Sequence, residues 1–368
     1  MTSSGVIRTF FLAGLKKIDY GGPQDTVSDT VMQRTNEPSV LETDNRSNTS
    51  RIPLSIPEDF MPKKITIVGA GNVGASVAQY CQIKDLGEIV MLDIVEGVAK
   101  GKALDLSQAS ALQGFDSKIK GTADYADTAN SDVVVVTAGI ARKPGMSRDD
   151  LVKTNLKIVT DVMAAAVKAS PNAIFVIVSN PLDIMCSVAQ KVSGLPKERV
   201  IGLSGMLDAS RLKYYLSEAV GVSPRTVEAI VLGEHGDSMV ALPRLATIGG
   251  VQASNFLTKS QMDEVADNTA KGGAAVVALL GVSAWYGPGL AVATMVEAII
   301  KDSHAIMPCS AYLTGQYGAQ DMYMCCPIRL GAKGVEEIIE VALNDEEKAE
   351  VANSIASIKE KLSVLDTI

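Results

Sequence analysis

Short apolar runs, almost free of polar interruption, punctuate the chain from residue 65 onward. "ITIV" at 65–68, "EIVMLD" ending at Asp93, "DVVVVTAG" at 132–139 and "AIFVIVSN" at 173–180 are rich in β-branched residues. A strand with one wet face would alternate apolar and polar. Continuous runs fit strands buried on both faces, as in a parallel sheet covered by helices. Helical stretches separate the runs, so the pattern predicts an α/β doubly wound parallel sheet over residues 61–206. Residues 207–368 then form a second, α+β domain that completes the site. Residues 1–60 carry no such pattern. Their stretch "GGPQDTVSDTVMQRTNEPSVLETDNRSNTSR" is polar and aperiodic, and an extension of this kind is expected to be disordered and non-catalytic. "TFFLAGL" at 9–15 is too short for a persuasive signal peptide, and Met61-Pro62-Lys63-Lys64 reads as a natural start into the first strand.

The turn after the first strand sharpens the picture. Gly69-Ala70-Gly71-Asn72-Val73-Gly74 runs from strand into helix, the context in which a GxGxxG sequence carries meaning. Gly69 permits the tight turn, Gly71 lets a pyrophosphate approach the backbone, and Gly74 lets helix and strand pack closely. The helix N-terminus adds free amides and a favourable dipole for phosphate. Asp93 ends the second strand 22 residues after Gly71. A carboxylate there accepts hydrogen bonds from both adenosine ribose hydroxyls and repels a 2′-phosphate. The following "IVEGVAK" offers no arginine to hold one, so NAD is favoured over NADP. Ligands of such sheets sit at the carboxyl ends of the strands, which places Gly139, Ser179 and Asn180 at the cofactor crevice.

Composition narrows the partners. The 368 residues, 47% of them hydrophobic, have room for two cored domains, and a net charge of −8 argues against nucleic acid or an anionic membrane surface. No apolar run reaches the roughly 20 residues needed to span a bilayer. The five cysteines, Cys81, Cys186, Cys309, Cys325 and Cys326, show no metal-ligand spacing and suit reduced thiols in a cytoplasmic compartment. No metal is expected.

Only two histidines occur in the chain. His235 stands in the glycine-flanked, acidic "LGEHGDS", whereas His304 lies in an ordinary segment, "KDSHAIMP", and is expected to be structural. Asp208 and Arg211, three positions apart in "LDASR", project from one helical face. Asp208 precedes His235 by 27 residues, far enough for the chain to return beside it. A buried aspartate on one imidazole nitrogen fixes the tautomer and stabilises the imidazolium. The polar loop "GIARKPGMSRDD" follows the 132–139 strand and carries Arg142 and Arg148, which could grip anions beside a nicotinamide.

"GAGNVG", "MLDI", "GIARKPGMSRDDLVKTN", "VSNPLD", "LDASR" and "LGEHGDS" stand in an order and spacing that resemble the lactate/malate dehydrogenase family. The resemblance covers residues 64 to about 361. It implies a Rossmann domain followed by a catalytic domain, with His235 as proton acceptor paired to Asp208. Arg211 would clamp the substrate C1 carboxylate in a bidentate fork. Arg148 would polarise the C2 oxygen as residues 139–150 close over the site. Asn180 would bond the same region. Asn155 and the Val178, Ser179 and Asn180 backbone would contact the cofactor, and Ser283 would line the substrate pocket.

Arg142 bears on substrate choice. The family's lactate enzymes commonly carry glutamine at this point and its malate enzymes arginine. A second arginine suits a second carboxylate, but opposite a methyl group it would be left desolvated and unpaired. The expectation is therefore malate/oxaloacetate, with lactate/pyruvate as the alternative and a non-catalytic NAD-binding protein as the alternative class. An NAD-dependent glycosidase would need metal-ligating Cys and His residues. The resemblance further implies a homotetramer (a dimer being the alternative) and a place in the tricarboxylic acid cycle.

Overall fold

The computed structural model describes residues 62–140 and 148–363. The expectations for residues 1–60, and for Arg142, lie outside that range.

The first half alternates strand and helix. In chain order it runs β1 (Lys64–Val68), α1 (Asn72–Ile83), β2 (Glu88–Leu92), α2 (Glu96–Gln113), β3 (Ile119–Thr122), β4 (Val133–Val136), α3 (Arg148–Ala169), β5 (Ile174–Ile177), α4 (Leu182–Ser193) and β6 (Val200–Gly202). These six strands pair in parallel in the order β3-β2-β1-β4-β5-β6. The chain reverses its winding between β1 and β4, which opens a crevice at their carboxyl ends. Burial on both faces accounts for the unbroken apolar runs: Ile65, Ile67, Val133, Val135, Phe175 and Val176 are inaccessible to solvent. Two of the observed strands, β4 and β5, are shorter than their apolar runs. In "DVVVVTAG" and "AIFVIVSN" the last residues leave the ladder and become the floor of the crevice.

The second half begins with α5 (Gly205–Val220) and continues through β7 (Val227–Glu228), β8 (Val231–Gly233), β9 (Met239–Ala241), β10 (Thr247–Ile248) and β11 (Val251–Gln252). It ends with α6 (Lys259–Leu280), α7 (Tyr286–Ile300), β12 (Ala305–Thr314), β13 (Gln320–Gly331), β14 (Gly334–Ile338) and α8 (Asp345–Leu362). Its main strands do not form a separate sheet. β12 adds antiparallel to β6 with Ser310 opposite Gly202, and β13 carries β8 with Cys325 opposite Gly233. One mixed sheet thus runs through both halves. The loop after β8, which holds His235, emerges next to the dinucleotide-type strands. Helix α8 is held at its start by reciprocal Asn344–Glu347 capping bonds, and Glu347 also takes a two-pronged contact from Arg244 at 2.7 Å on each arm.

One local expectation is corrected. Arg148 is the first residue of α3 and not a residue within the loop. The helical register of Val159, Met163 and Ala166, all buried against the sheet, extends back through "RDDLVKTN" and winds that segment.

Candidate active site

The nucleotide end of the crevice is built from backbone. Gly69 has φ +106°, and a Cβ on Gly74 would lie 1.9 Å from the Gly69 carbonyl oxygen, so turn and helix can meet only with glycine at both places. Gly71 caps α1 without any side-chain bond, and a Cβ there would meet nothing within 4 Å. The result is an open cradle in front of unclaimed helix amides, which fits a pyrophosphate. Asn72 and Val73 form the first turn behind it. Asp93 faces this cradle: one carboxylate oxygen accepts from the Ala70 amide at 2.7 Å, the other from the Val95 amide at 2.9 Å. Lys102 donates to the Ala70 carbonyl at 2.7 Å and braces the same turn from α2.

The floor is braced in the same way. Buried Ser179 donates to the Ala138 carbonyl at 2.5 Å. Val178 continues the β5 ladder through its amide to the Val136 carbonyl at 2.9 Å. Asn155, which the resemblance assigns to the cofactor, has its amide bonded to main chain. It accepts from the Ile140 amide at 2.8 Å and donates to the carbonyls of Ile140 and Asn180 at 3.1 and 2.7 Å. Asn155 is thus a fastener between the start of the 139–150 segment and Asn180.

Chemistry converges at the other end. Asn180, Asp208, Arg211, His235 and Ser283 line one cavity of about 510 Å3. Asp208, only 1% exposed, divides its carboxylate between two partners. One oxygen accepts from His235 Nδ1 at 2.7 Å and the other from Arg211 Nη1 at 3.0 Å. The Asp208–Arg211 pair is therefore more than a surface helix contact, because the same aspartate orients both the imidazole and the guanidinium. Burial opposes protonation of His235. The charge and hydrogen bond of Asp208, aided by Asp183, outweigh that penalty and the repulsion of Arg211, and the imidazole is raised above its ordinary range. Gly272 and Gly273 of α6 lie against Arg211. A Cβ on Gly273 would come within 3.4 Å of its Nη2, so these glycines leave the fork room.

Three features of the site were not legible in the chain. The main-chain N–H of His235 donates to Asp183 at 2.9 Å, and Asp183 also accepts from Ser310 at 2.6 Å. Glu234, nearly buried, accepts from Ser238, Ser357 and Lys361, while its own amide donates to Ser354 at 2.7 Å. Helix α8 therefore grips the loop beside the imidazole. Asp267 and Lys271 of α6 form an ion pair of 2.5 Å on the cavity wall. "VSNPLD" and "LGEHGDS" contain two of these carboxylates, but apart from Ser238 the partners of Glu234 lie 120 or more residues away, and those of Asp183 are in different elements. His304, exposed, pairs with Glu336 at 2.6 Å, far in sequence from the site loop. All five cysteines are buried free thiols.

A dinucleotide cradle opening onto a carboxylate-paired histidine and an arginine is the arrangement of an NAD-dependent oxidoreductase. The chain belongs to the lactate/malate dehydrogenase family. Residues 63–202 match its NAD binding domain, and residues 205–365 match its alpha/beta C-terminal domain. Among its relatives, the malate dehydrogenase of Heliobacterium modesticaldum is 52% identical over 303 residues, 82% of this chain and 98% of the relative. The crystal structure of Cryptosporidium parvum malate dehydrogenase superposes with a TM-score of 0.81 at 43% identity, over 84% of this chain and 100% of that one. The lactate dehydrogenase of the same organism, solved with lactic acid and nicotinamide adenine dinucleotide, gives 0.81 at 37% identity over 83% and 99%.

Proposed function

We infer that this protein is an NAD-dependent malate dehydrogenase, interconverting (S)-malate and oxaloacetate. The observation that carries the reading is the single cavity in which Asp208 holds both His235 and Arg211 beside Asn180. The names of the relatives support the malate assignment, and so does arginine at position 142. The fold alone does not separate malate from lactate enzymes, since solved examples of both superpose equally well.

The cradle of Gly69 to Gly74 would hold the pyrophosphate and Asp93 the adenosine ribose, and the Val178–Asn180 backbone would contact the nicotinamide end. NAD, when bound, supplies the acceptor for the hydride leaving C2 of malate. His235 takes the C2 hydroxyl proton on Nε2, since Nδ1–H is already donated to Asp208, and the resulting imidazolium is stabilised by that carboxylate. In reverse, the same nitrogen protonates the oxaloacetate carbonyl oxygen. Arg211 clamps the C1 carboxylate with two parallel bonds. Arg142 takes the distal carboxylate, Arg148 and Asn180 polarise the C2 oxygen, and Ser283 lines the pocket. Segment 139–150, fastened at its base by Asn155, closes over the substrate and excludes water. Residues 61–206 form the cofactor domain and lend Arg142, Arg148 and Asn180 to the substrate, while 207–368 supply His235, Asp208, Arg211 and Ser283.

We further propose that the enzyme works in the cytoplasm, within the tricarboxylic acid cycle, as a homotetramer. Support for self-association comes from the apolar stretch around the end of α6, where Leu279, Leu280, Val282 and Tyr286 are 87, 54, 51 and 64% exposed in the single chain. Among the described residues no helix is long and apolar enough to cross a membrane. The test of the activity is oxidation of NADH on addition of oxaloacetate, by wild type and by His235→Asn. Turnover that survives the substitution, or none in the wild type, contradicts the reading.

A further inference from the structure

The histidine is held at two places, and only one of them is explained by the proton transfer. Asp208 orients the ring. The main-chain N–H of His235, by contrast, is bound to Asp183, a carboxylate that is 3% exposed and does not line the cavity. We propose that Asp183 is a positioning residue for the proton transfer: its carboxylate fixes the main chain of His235 and lends the imidazolium a second negative charge. The inference rests on the reading of His235 as the proton carrier.

Burying a carboxylate is costly unless its charge is used or its bonds are satisfied. Asp183 is placed to meet both conditions. It sits in the first turn of α4, where the helix dipole favours a negative group. Its Oδ1 accepts from Ser310, fully buried on β12, at 2.6 Å, and its Oδ2 accepts from the His235 amide at 2.9 Å. A purely structural tie at this point could be neutral, as an asparagine would be. Burial pushes the Asp183 carboxyl up to about 6, and the bonds from Ser310 and His235 hold it from rising further. Its charge is thus largely present at neutral pH and fades as the medium turns acid. The groups facing this pair are Asp208 and Arg211 from α5, Glu234 from the loop with Lys361 of α8 upon it, Cys186 from α4 and Cys325 from β13. Only Arg211 and Lys361 among them are positive. Lys361 is taken up by Glu234 and Arg211 by Asp208, so Asp183 adds uncompensated negative potential at the imidazole.

With two histidines in 368 residues, the full-length protein labelled with 15N-histidine gives a titration for each ring, and His304→Gln assigns them. In Asp183→Asn the amide can still bind both partners but carries no charge. The His235 midpoint should fall by about half a pH unit or more while that of His304 stays put. The alkaline limb of oxaloacetate reduction should move down with it. Asp183→Ala should lower kcat about tenfold with KM for oxaloacetate within about twofold, as for a misplaced proton donor. Should the Asp183 variants fail to fold, Ser310→Ala weakens the same carboxylate and should shift His235 in the same direction by less. A wild type that turns over oxaloacetate, combined with an unmoved His235 midpoint in the variants, overturns this inference alone. A wild type with no turnover overturns it together with the proposed function.

Discussion

Asp208 Oδ2 lies 2.7 Å from His235 Nδ1, and this contact fixes both the tautomer and the charge preference of the one histidine in the cavity. Asp208→Asn keeps an acceptor but removes the charge. A loss in kcat of about 10³- to 10⁴-fold is expected, with circular dichroism unchanged.

The direction of the His235 shift gives a pH signature. Reduction of oxaloacetate needs the imidazolium and oxidation of malate the neutral ring. Because His235 is raised above the ordinary histidine range, reduction should persist above pH of about 6.5 before declining, and oxidation should rise over the same interval. A raised histidine stabilises the fold fully below its unfolded value and loses that contribution as pH rises through its folded value. Profiles of kcat/KM in both directions, for wild type and Asp208→Asn, check this: both limbs should move to lower pH in the variant.

Arg211→Lys keeps the positive charge and loses the planar fork. Since Arg211 also shares Asp208 with His235, a point charge cannot satisfy carboxylate and aspartate with the same geometry. The variant should lose about 10²-fold or more in kcat/KM for oxaloacetate, most of it in KM. Steady-state kinetics with NADH held saturating would show it.

Asp93 should govern cofactor choice. Its carboxylate is already aimed at the glycine cradle through the Ala70 amide. NADH should be strongly preferred to NADPH in the wild type, and Asp93→Ser should shrink the preference by removing repulsion of the 2′-phosphate. Equal use of the two cofactors by the wild type would contradict this.

The grip of α8 on Glu234 should be measurable as stability. Lys361, 40% exposed, faces a carboxylate that is 7% exposed. Lys361→Ala leaves that buried charge without a counter-ion, and a loss of about 1–2 kcal/mol is expected, discounted for the lysine's access to solvent. Adding Glu234→Gln should recover part of it, because Ser238 and Ser357 can bond a neutral amide. Thermal melts of the single and double variants decide the matter.

Much of this architecture is written locally. The parallel sheet follows from unbroken β-branched runs, and the cradle from the glycine spacing, with Gly69 and Gly74 where a Cβ would clash and Gly71 open to the approach. The Asp208–Arg211 proximity follows from helical spacing, and the return of His235 to Asp208 from a plausible chain length. What was hidden depends on contacts that no short pattern encodes. Within the sheet the two halves join at one registered pair, Ser310 with Gly202, between strands over a hundred residues apart. Asp183 acts on a backbone amide, which any residue could offer, so its sequence neighbours do not mark it. Glu234 looks like a solvated acid in "GEHGD" and becomes buried only when α8 docks.

The central claim is that two carboxylates on the substrate match the arginines of this site. Its most direct test is the ratio of kcat/KM for oxaloacetate to that for pyruvate with NADH, measured on one preparation of the full-length enzyme. A guanidinium left unpaired in a closed pocket should penalise pyruvate by at least about a thousandfold. Arg142→Gln should narrow the ratio, chiefly by lowering activity on oxaloacetate. Comparable wild-type values for the two keto acids would contradict the assignment.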